Sequence, residues 1–135
     1  MAYLLTFETA LLDPSGESEN PHNPIRGSTV LDWLRHNCFS EPLRWTEPEP
    51  EDWGWYIDVV DGEDSFLVGG VCFENPEDEP SDSHEWLIQI HKQRSIIDKL
   101  LGRNRLSPAD PVVALIRDAI MNEPGFAKVE VEEDA

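Results

Sequence analysis

The stretch WGWYIDVVDGEDSFLVGGVCF, residues 53–73, decides the fold of this chain. From Trp53 to Val60, strongly apolar side chains alternate with others, which predicts a strand with one apolar face. Asp61-Gly62 is a hairpin turn signal, and residues 65–73 return with the same alternation. The apolar face carries Trp53, Trp55, Ile57, Val59, Phe66, Val68 and Cys72. A two-residue turn pairs Trp55 with Val68, Ile57 with Phe66, and Gly54 with Gly69, whereas a four-residue turn changes the pairs but preserves the faces.

Upstream of this hairpin the sequence predicts a strand, a loop and a short helix. Residues 3–12 are apolar and rich in β-forming side chains, and residues 13–27 hold three prolines and two glycines. Residues 30–38 place their apolar side chains on one helical face. We expect Thr29 to be the N-cap of this helix, with Asp32 completing a capping box.

Residues 85–92 allow two interpretations. A strand is indicated by the alternation of Trp86, Ile88 and Ile90. A long helix would instead begin at Asp82, with Glu85 completing a capping box. A second helix start at Ser95 favours the strand.

The remaining elements complete one domain. Residues 95–101 are predicted to form a short helix closed by Gly102, and Asp110-Pro111 begins a final helix. A last strand follows from Phe126. The order is β-α-β-β-β-α-α-β, and 135 residues suit a single domain. The fold class is therefore α+β, with two layers: a mainly antiparallel sheet and helices on one face.

Charge is the strongest compositional signal. The chain carries 28 acidic and 10 basic residues, a formal net charge of -18. Residues 1–91 carry 20 acids and three arginines, a net charge of -17, while residues 92–135 are nearly balanced. The acids concentrate in two proline-bearing segments, residues 41–52 and 74–85, in which we expect loops. Such a surface repels nucleic acid and anionic membranes and attracts basic partners.

Cysteines and histidines provide no recognisable catalytic or metal site. Cys38 and Cys72 are expected to be buried and reduced. His36 and Cys38 are two residues apart on a helix, so they point in different directions and cannot easily share an ion. We find no local signature of a nucleophile or a phosphate-binding loop, and we assign no catalytic residue, metal ligand or cofactor. No signal peptide or membrane helix is predicted, so the expected compartment is the cytoplasm.

One candidate binding surface lies on the second face of the 53–73 hairpin. If helices cover only the tryptophan face, this second face is an exposed apolar strip rimmed by acids, as is typical of partner sites. Alternatively, loop 13–27 or the N-terminal strand covers it. The candidate partner-binding residues are Tyr56, Leu67, Val71, Phe73, Glu47, Glu49, Glu51 and Asp52.

A basic stretch is the second feature that invites a functional interpretation. It comprises Lys92, Arg94, Lys99, Arg103 and Arg105, with only Asp98 against it. It would contact a phosphate or an acidic partner, or neutralise the chain's own acidic loops; we favour neutralisation.

Three segments carry a resemblance. Residues 51–56 (EDWGWY), 88–95 (IQIHKQRS) and 99–104 (KLLGRN) resemble a group of small uncharacterised bacterial proteins. The resemblance covers most of the chain but implies no activity, cofactor or site residue. It implies a bacterial, cytoplasmic setting.

These observations favour a non-enzymatic binding protein that engages a basic partner protein through an acidic surface, as immunity proteins and other acidic inhibitors do. The first alternative is a small enzyme, such as a hydrolase, with a carboxylate-lined pocket. The second is an acidic protein without a charge-specific partner. We expect a monomer or a weak dimer.

Overall fold

The computed structural model describes residues 2–22, 25–38, 40, 42–73 and 83–134. Across these residues the chain forms a seven-stranded sheet in which neighbouring strands are antiparallel. The strands are β1 (Ala2–Thr9), β2 (Arg44–Trp45), β3 (Glu49–Glu51), β4 (Gly54–Asp61), β5 (Asp64–Phe73), β6 (His84–Gln93) and β7 (Ala127–Asp134). Their order is β2-β4-β5-β6-β1-β7, and β3 also pairs with β4.

In the described ranges the sheet is accompanied by α1 (Ser28–Asn37), α2 (Ile96–Leu101) and α3 (Pro111–Met121). A short 3₁₀ helix, Pro14–Gly16, precedes them. α1 and α3 share one core with the sheet, burying Val30, Leu31, Leu34, Val112, Val113, Ile116 and Ile120. The predicted two-layer α+β fold is confirmed, and so is the order of its eight elements. β2 and β3 are additional.

β4 and β5 form the predicted hairpin, but its turn lies one residue further along the chain. Asp61 pairs with Asp64, so the turn residues are Gly62 and Glu63. Gly62 has a φ of +62°, a left-handed value that favours glycine. The observed pairs include Trp55 with Gly70 and Ile57 with Val68. The predicted pairs are therefore wrong. The faces stay as predicted for Ile57 and its buried neighbours, because each β4 residue pairs two positions further along β5 than predicted, and side chains alternate with a period of two.

The segment with two interpretations is a strand, β6, so the long-helix alternative is wrong. Trp86, Ile88 and Ile90 are fully buried. α2 follows, and the Ser95 side chain accepts a hydrogen bond from the Asp98 amide at 3.0 Å. Gly102 ends α2 with a φ of +65°. These are the predicted limits, and α3 begins at Pro111 as predicted.

The start of α1 differs from its prediction. The helix begins at Ser28, and its N-cap residue, Gly27, provides no side-chain hydrogen bond to the first turn. The Glu17 carboxylate, ten or more residues upstream, accepts hydrogen bonds from the amides of Gly27, Ser28 and Thr29 at 2.8, 3.1 and 3.0 Å. It also accepts one from the Thr29 hydroxyl at 2.6 Å. The capping box with Asp32 is therefore wrong, because a carboxylate from another segment occupies the positive end of the helix.

The acidic segment at residues 41–52 is more regular than predicted. β2 and β3 both pair with β4, so this part of the prediction is wrong. Both strands lie at the free edge of the sheet, where a proline such as Pro50 is tolerated although it lacks an amide hydrogen. Glu41 and residues 74–82 lie outside the described residues, and with them most of the second predicted acidic loop.

Aromatic rings close the core beside β1. The Phe126 ring stacks on Phe7 at a centroid distance of 4.3 Å and contacts Trp33 at 4.7 Å. Cys38 and Cys72 are buried thiols that are not joined in a disulfide, as predicted. Burial raises the pKa of the Cys38 thiol to about 12, so this thiol is neutral at ordinary pH.

Candidate binding surface

The second face of the hairpin is the sheet face that the described helices leave open. On the opposite face, the side chains of Val30 and Leu31 from α1 pack closely against Gly70. Because side chains alternate along a strand, the residues between the buried ones point away from α1. We call this side the outer face. Tyr56, Leu67 and Val71 are partly exposed on it, and Phe73 is 48% exposed.

Trp53 also lies on the outer face, although the alternation predicts it in the core. A Cβ placed on Gly69 would lie 2.7 Å from the Trp53 indole, so this ring covers Gly69. Gly54, with a φ of +151°, joins the preceding turn to β4 and breaks the alternation. Trp55 is buried, whereas Trp53 is 37% exposed. The prediction of core tryptophans is correct for Trp55 and wrong for Trp53.

The two segments considered as covers, β1 and the described residues of loop 13–27 (13–22 and 25–27), occupy other positions. β1 lies within the sheet, between β6 and β7. In loop 13–27, the Arg26 carbonyl accepts a hydrogen bond from the Cys72 amide at 2.6 Å, along the edge of β5. Asn20 of the same loop donates to the carbonyls of Glu51 and Gly54 at 2.8 and 2.9 Å. Loop 13–27 is therefore fastened to the edge of the hairpin.

A contiguous group of apolar side chains follows from this register, and we call it the outer strip. Along β5, Leu67, Val71 and Phe73 occupy alternate positions, and the Trp53 ring fills the gap at Gly69. Tyr56 is opposite Gly69, and Leu87 of β6 is opposite Val71. The outer strip comprises Trp53, Tyr56, Leu67, Val71, Phe73 and Leu87. Sequence reasoning missed Leu87, although the alternation within residues 84–93 contains the signal for it.

Carboxylates border the outer strip, and we call them the acidic rim: Glu49, Glu51, Asp58 and Glu85. Register places Glu49 opposite Tyr56, Glu51 opposite Gly54, Asp58 opposite Leu67, and Glu85 opposite Phe73. The pKa of the Tyr56 hydroxyl is raised, first by desolvation and then by the negative charges of Asp58, Glu49 and Glu51. The rim therefore generates a negative potential at the strip.

Acids continue across the same face towards β7. Glu8 is opposite Glu85, and Thr6 and Leu4 are opposite Glu130 and Glu132. The Lys128 ammonium lies 3.2 Å from the Glu8 carboxylate and partly neutralises it. The outer face is thus acidic well beyond the predicted residues.

The two remaining predicted acids, Glu47 and Asp52, lie outside the paired strands, so no strand pairing assigns them to the outer face. Glu47 lies between β2 and β3, and Asp52 lies in the turn before β4; both are exposed. Of the four predicted acids, the structure brings Glu49 and Glu51 to the strip.

The basic stretch has several structural roles. The Lys92 ammonium is almost completely buried and lies 3.2 Å from Asp110 and 3.8 Å from Asp64. The Arg94 guanidinium donates to the carbonyl oxygens of Arg103 and Asp98 at 2.8 and 3.0 Å. Lys92 thus neutralises Asp64 and Asp110, which lie outside the two predicted acidic loops, while Arg94 fastens α2 to the end of β6.

Within the described residues, no group of three or more His, Cys, Asp or Glu side chains is arranged to hold a metal ion. No helix in that part of the chain is long and apolar enough to span a membrane.

Comparisons with known proteins returned no relative. No protein-family model matches this chain, and neither the curated proteins nor the solved structures that were searched contain a significant match.

Proposed function

We propose that this protein is a non-enzymatic binding protein that engages a basic partner protein through its outer face. The observation that carries the proposal is the outer strip, an apolar surface with an acidic rim on a sheet face left open by the described helices. Scattered apolar side chains are ordinary on protein surfaces, but a contiguous group bordered by polar residues is typical of an interaction site.

The apolar part of this surface supplies affinity. Trp53 and Tyr56 belong to the two aromatic types that most often dominate binding energy at protein interfaces. The Trp53 ring already rests on Gly69 and is only partly exposed, so a partner would cover a ring held in place rather than order a free one.

The acidic part selects the partner. A carboxylate buried beneath an uncharged surface loses its hydration without gaining an ion pair, so the rim disfavours neutral and acidic partners. A partner with Lys or Arg around an apolar centre matches both parts of the surface. With a net charge of -18, the chain attracts such a partner from a distance, which gives fast and salt-sensitive association.

The rest of the proposal follows from the same properties. In the bacterial cytoplasm that the resemblance implies, an acidic inhibitor or immunity-like protein of this kind would neutralise a cationic protein by covering its basic surface. Nucleic acid is disfavoured as a partner, because binding it requires a basic surface that displaces counterions.

The test uses one substitution in the strip and a matched control. Phe73→Lys places a cation in the outer strip, and Met121→Lys makes the same change at a residue of similar exposure, 53%, at the end of α3. Each variant and the parent protein are used as bait in lysate of the source cells. Recovered proteins are identified, purified and titrated by calorimetry at several salt concentrations.

We expect basic proteins that bind the parent and Met121→Lys at least ~10-fold more tightly than Phe73→Lys, with affinity that falls as salt increases. Equal affinity for all three baits, or specific partners that are acidic, would contradict the proposal.

A further inference from the structure

α2 displays its apolar side chains to solvent. Ile96, Ile97, Leu100 and Leu101 lie on one side of the helix, because residues three and four positions apart are neighbours on a helical surface. Each is between 61% and 79% exposed. Asp98, on the opposite side, is the least exposed residue of α2. An amphipathic helix in a globular domain normally buries its apolar side, and this one does the reverse.

This exposure belongs to a helix that is held at both ends. Beyond the Ser95 cap, the Arg103 amide donates to the Asp98 carbonyl at 2.8 Å, and the Gly102 amide donates to the Lys99 carbonyl at 3.4 Å. This is the arrangement of a Schellman motif. The Arg94 guanidinium binds the same Asp98 carbonyl from the end of β6. The apolar side chains are therefore displayed by an ordered element.

The charge around α2 is opposite to that of the outer face. Lys99, Arg103 and Arg105 are exposed beside the apolar side chains, and Asp98 is the only acid between residues 94 and 105. One surface of the chain is thus apolar and basic, and another is apolar and acidic. Their chemistry is complementary.

We propose that α2 of one molecule docks on the outer strip of a second copy of this chain, in a head-to-tail arrangement. The inference depends on the proposed function in one respect, because it takes the outer face as the receptor for an apolar segment flanked by bases. Symmetric pairing of two α2 helices is disfavoured, since it brings the basic residues of both copies together. A head-to-tail contact leaves a free surface at each end, so it extends to longer assemblies.

The contact is weak for two reasons. A six-residue helix is small against the roughly 20–30 residues per side of a standard interface. Each copy also carries a net charge of -18, which opposes association. We expect half of the molecules to be associated at a protein concentration on the order of 0.1–1 mM at physiological salt. A partner with a larger apolar and basic surface would displace α2.

Sedimentation velocity over a concentration series tests this arrangement with four proteins: the parent, Leu100→Glu, Phe73→Lys and the control Met121→Glu. Circular dichroism and chemical unfolding verify that each variant is folded. We expect the parent and Met121→Glu to associate, and each of the other two to associate at least ~10-fold more weakly. Because Phe73→Lys lowers the net negative charge, weaker association of that variant cannot arise from overall repulsion.

The decisive sample mixes Leu100→Glu with Phe73→Lys. Leu100→Glu retains an intact outer strip and Phe73→Lys retains an intact α2, so the mixture should form one-to-one dimers with the affinity of a single parent contact. A monomeric mixture, association of Phe73→Lys alone, or a parent that stays monomeric to ~1 mM would overturn the inference. Leu100→Glu leaves the strip unchanged, so its capture of basic proteins reports separately on the proposed function.

Discussion

Replacing Glu17 with alanine should destabilise the fold much more than its position in a loop suggests. The substitution removes the acceptor for the amides of Gly27, Ser28 and Thr29 and for the Thr29 hydroxyl. An ordinary N-cap contributes about 0.5–2 kcal/mol, and hydrogen bonds to a charged group about 1.5–3 kcal/mol. Water replaces part of the loss, because the site is only partly buried. We expect the free energy of unfolding to fall by ~2–3 kcal/mol.

Urea unfolding followed by tryptophan fluorescence measures this loss. For a denaturant dependence of ~1–3 kcal/mol per molar urea, the midpoint should fall by roughly 1 M or more. Glu19→Ala is the matched control, since Glu19 is an exposed acid in the same loop and its removal makes the same change in net charge. Equal midpoints for Glu17→Ala and Glu19→Ala would refute the reasoning, and Glu17→Gln should lie between them.

Four further predictions concern the core, the close contact at β5, the net charge and the buried thiol. In urea unfolding, Ile57→Ala should lower the free energy of unfolding by ~2–5 kcal/mol, because Ile57 is fully buried. Leu67→Ala should lower it by at most about half as much, because Leu67 lies on the outer face. Equal large losses would mean that both faces are covered. Gly70→Ala should cost ~1–3 kcal/mol, because its new Cβ would lie 2.8 Å from the Gly27 carbonyl oxygen, whereas Gly16→Ala meets nothing within 4 Å and should be nearly neutral. Raising NaCl from ~0.01 to ~0.15 M should raise the melting temperature by a few degrees as screening shortens from ~30 to ~8 Å, and a falling value would show that attractive pairs dominate. The Cys38 thiol, with its pKa raised to about 12, should react with a thiol reagent at pH 8 only after unfolding. Rapid labelling of the native protein would disprove this.

Features encoded by neighbouring residues were predictable from the sequence. The strand pair at residues 53–73 follows from a period of two, and Ser95 and Gly102 limit α2 through contacts within one helical turn. The acidic rim was predicted in part for the same reason, since Glu49 and Glu51 come just before the hairpin.

Features that depend on distant segments were not predictable in this way. The cap of α1 comes from Glu17 across a loop, which no local pattern indicates. The position of Trp53 depends on the positive φ of Gly54 and on space above Gly69. Periodicity likewise groups Ile97 and Leu101 on one side of α2 but does not tell whether that side meets the core or solvent.

The position of β1 also has a consequence for how the chain is made. A ribosome synthesises β1 well before β6 and β7, which are its two neighbours in the sheet, and Ala2 pairs with Asp134. The β4–β5–β6 meander can assemble from contacts between strands that are adjacent in sequence, before β1 has paired with another strand. Until β6 and β7 have been synthesised, the apolar strand of Tyr3, Leu5 and Phe7 therefore lacks the two strands that it pairs with, and a chaperone would have most reason to hold this segment of the nascent chain.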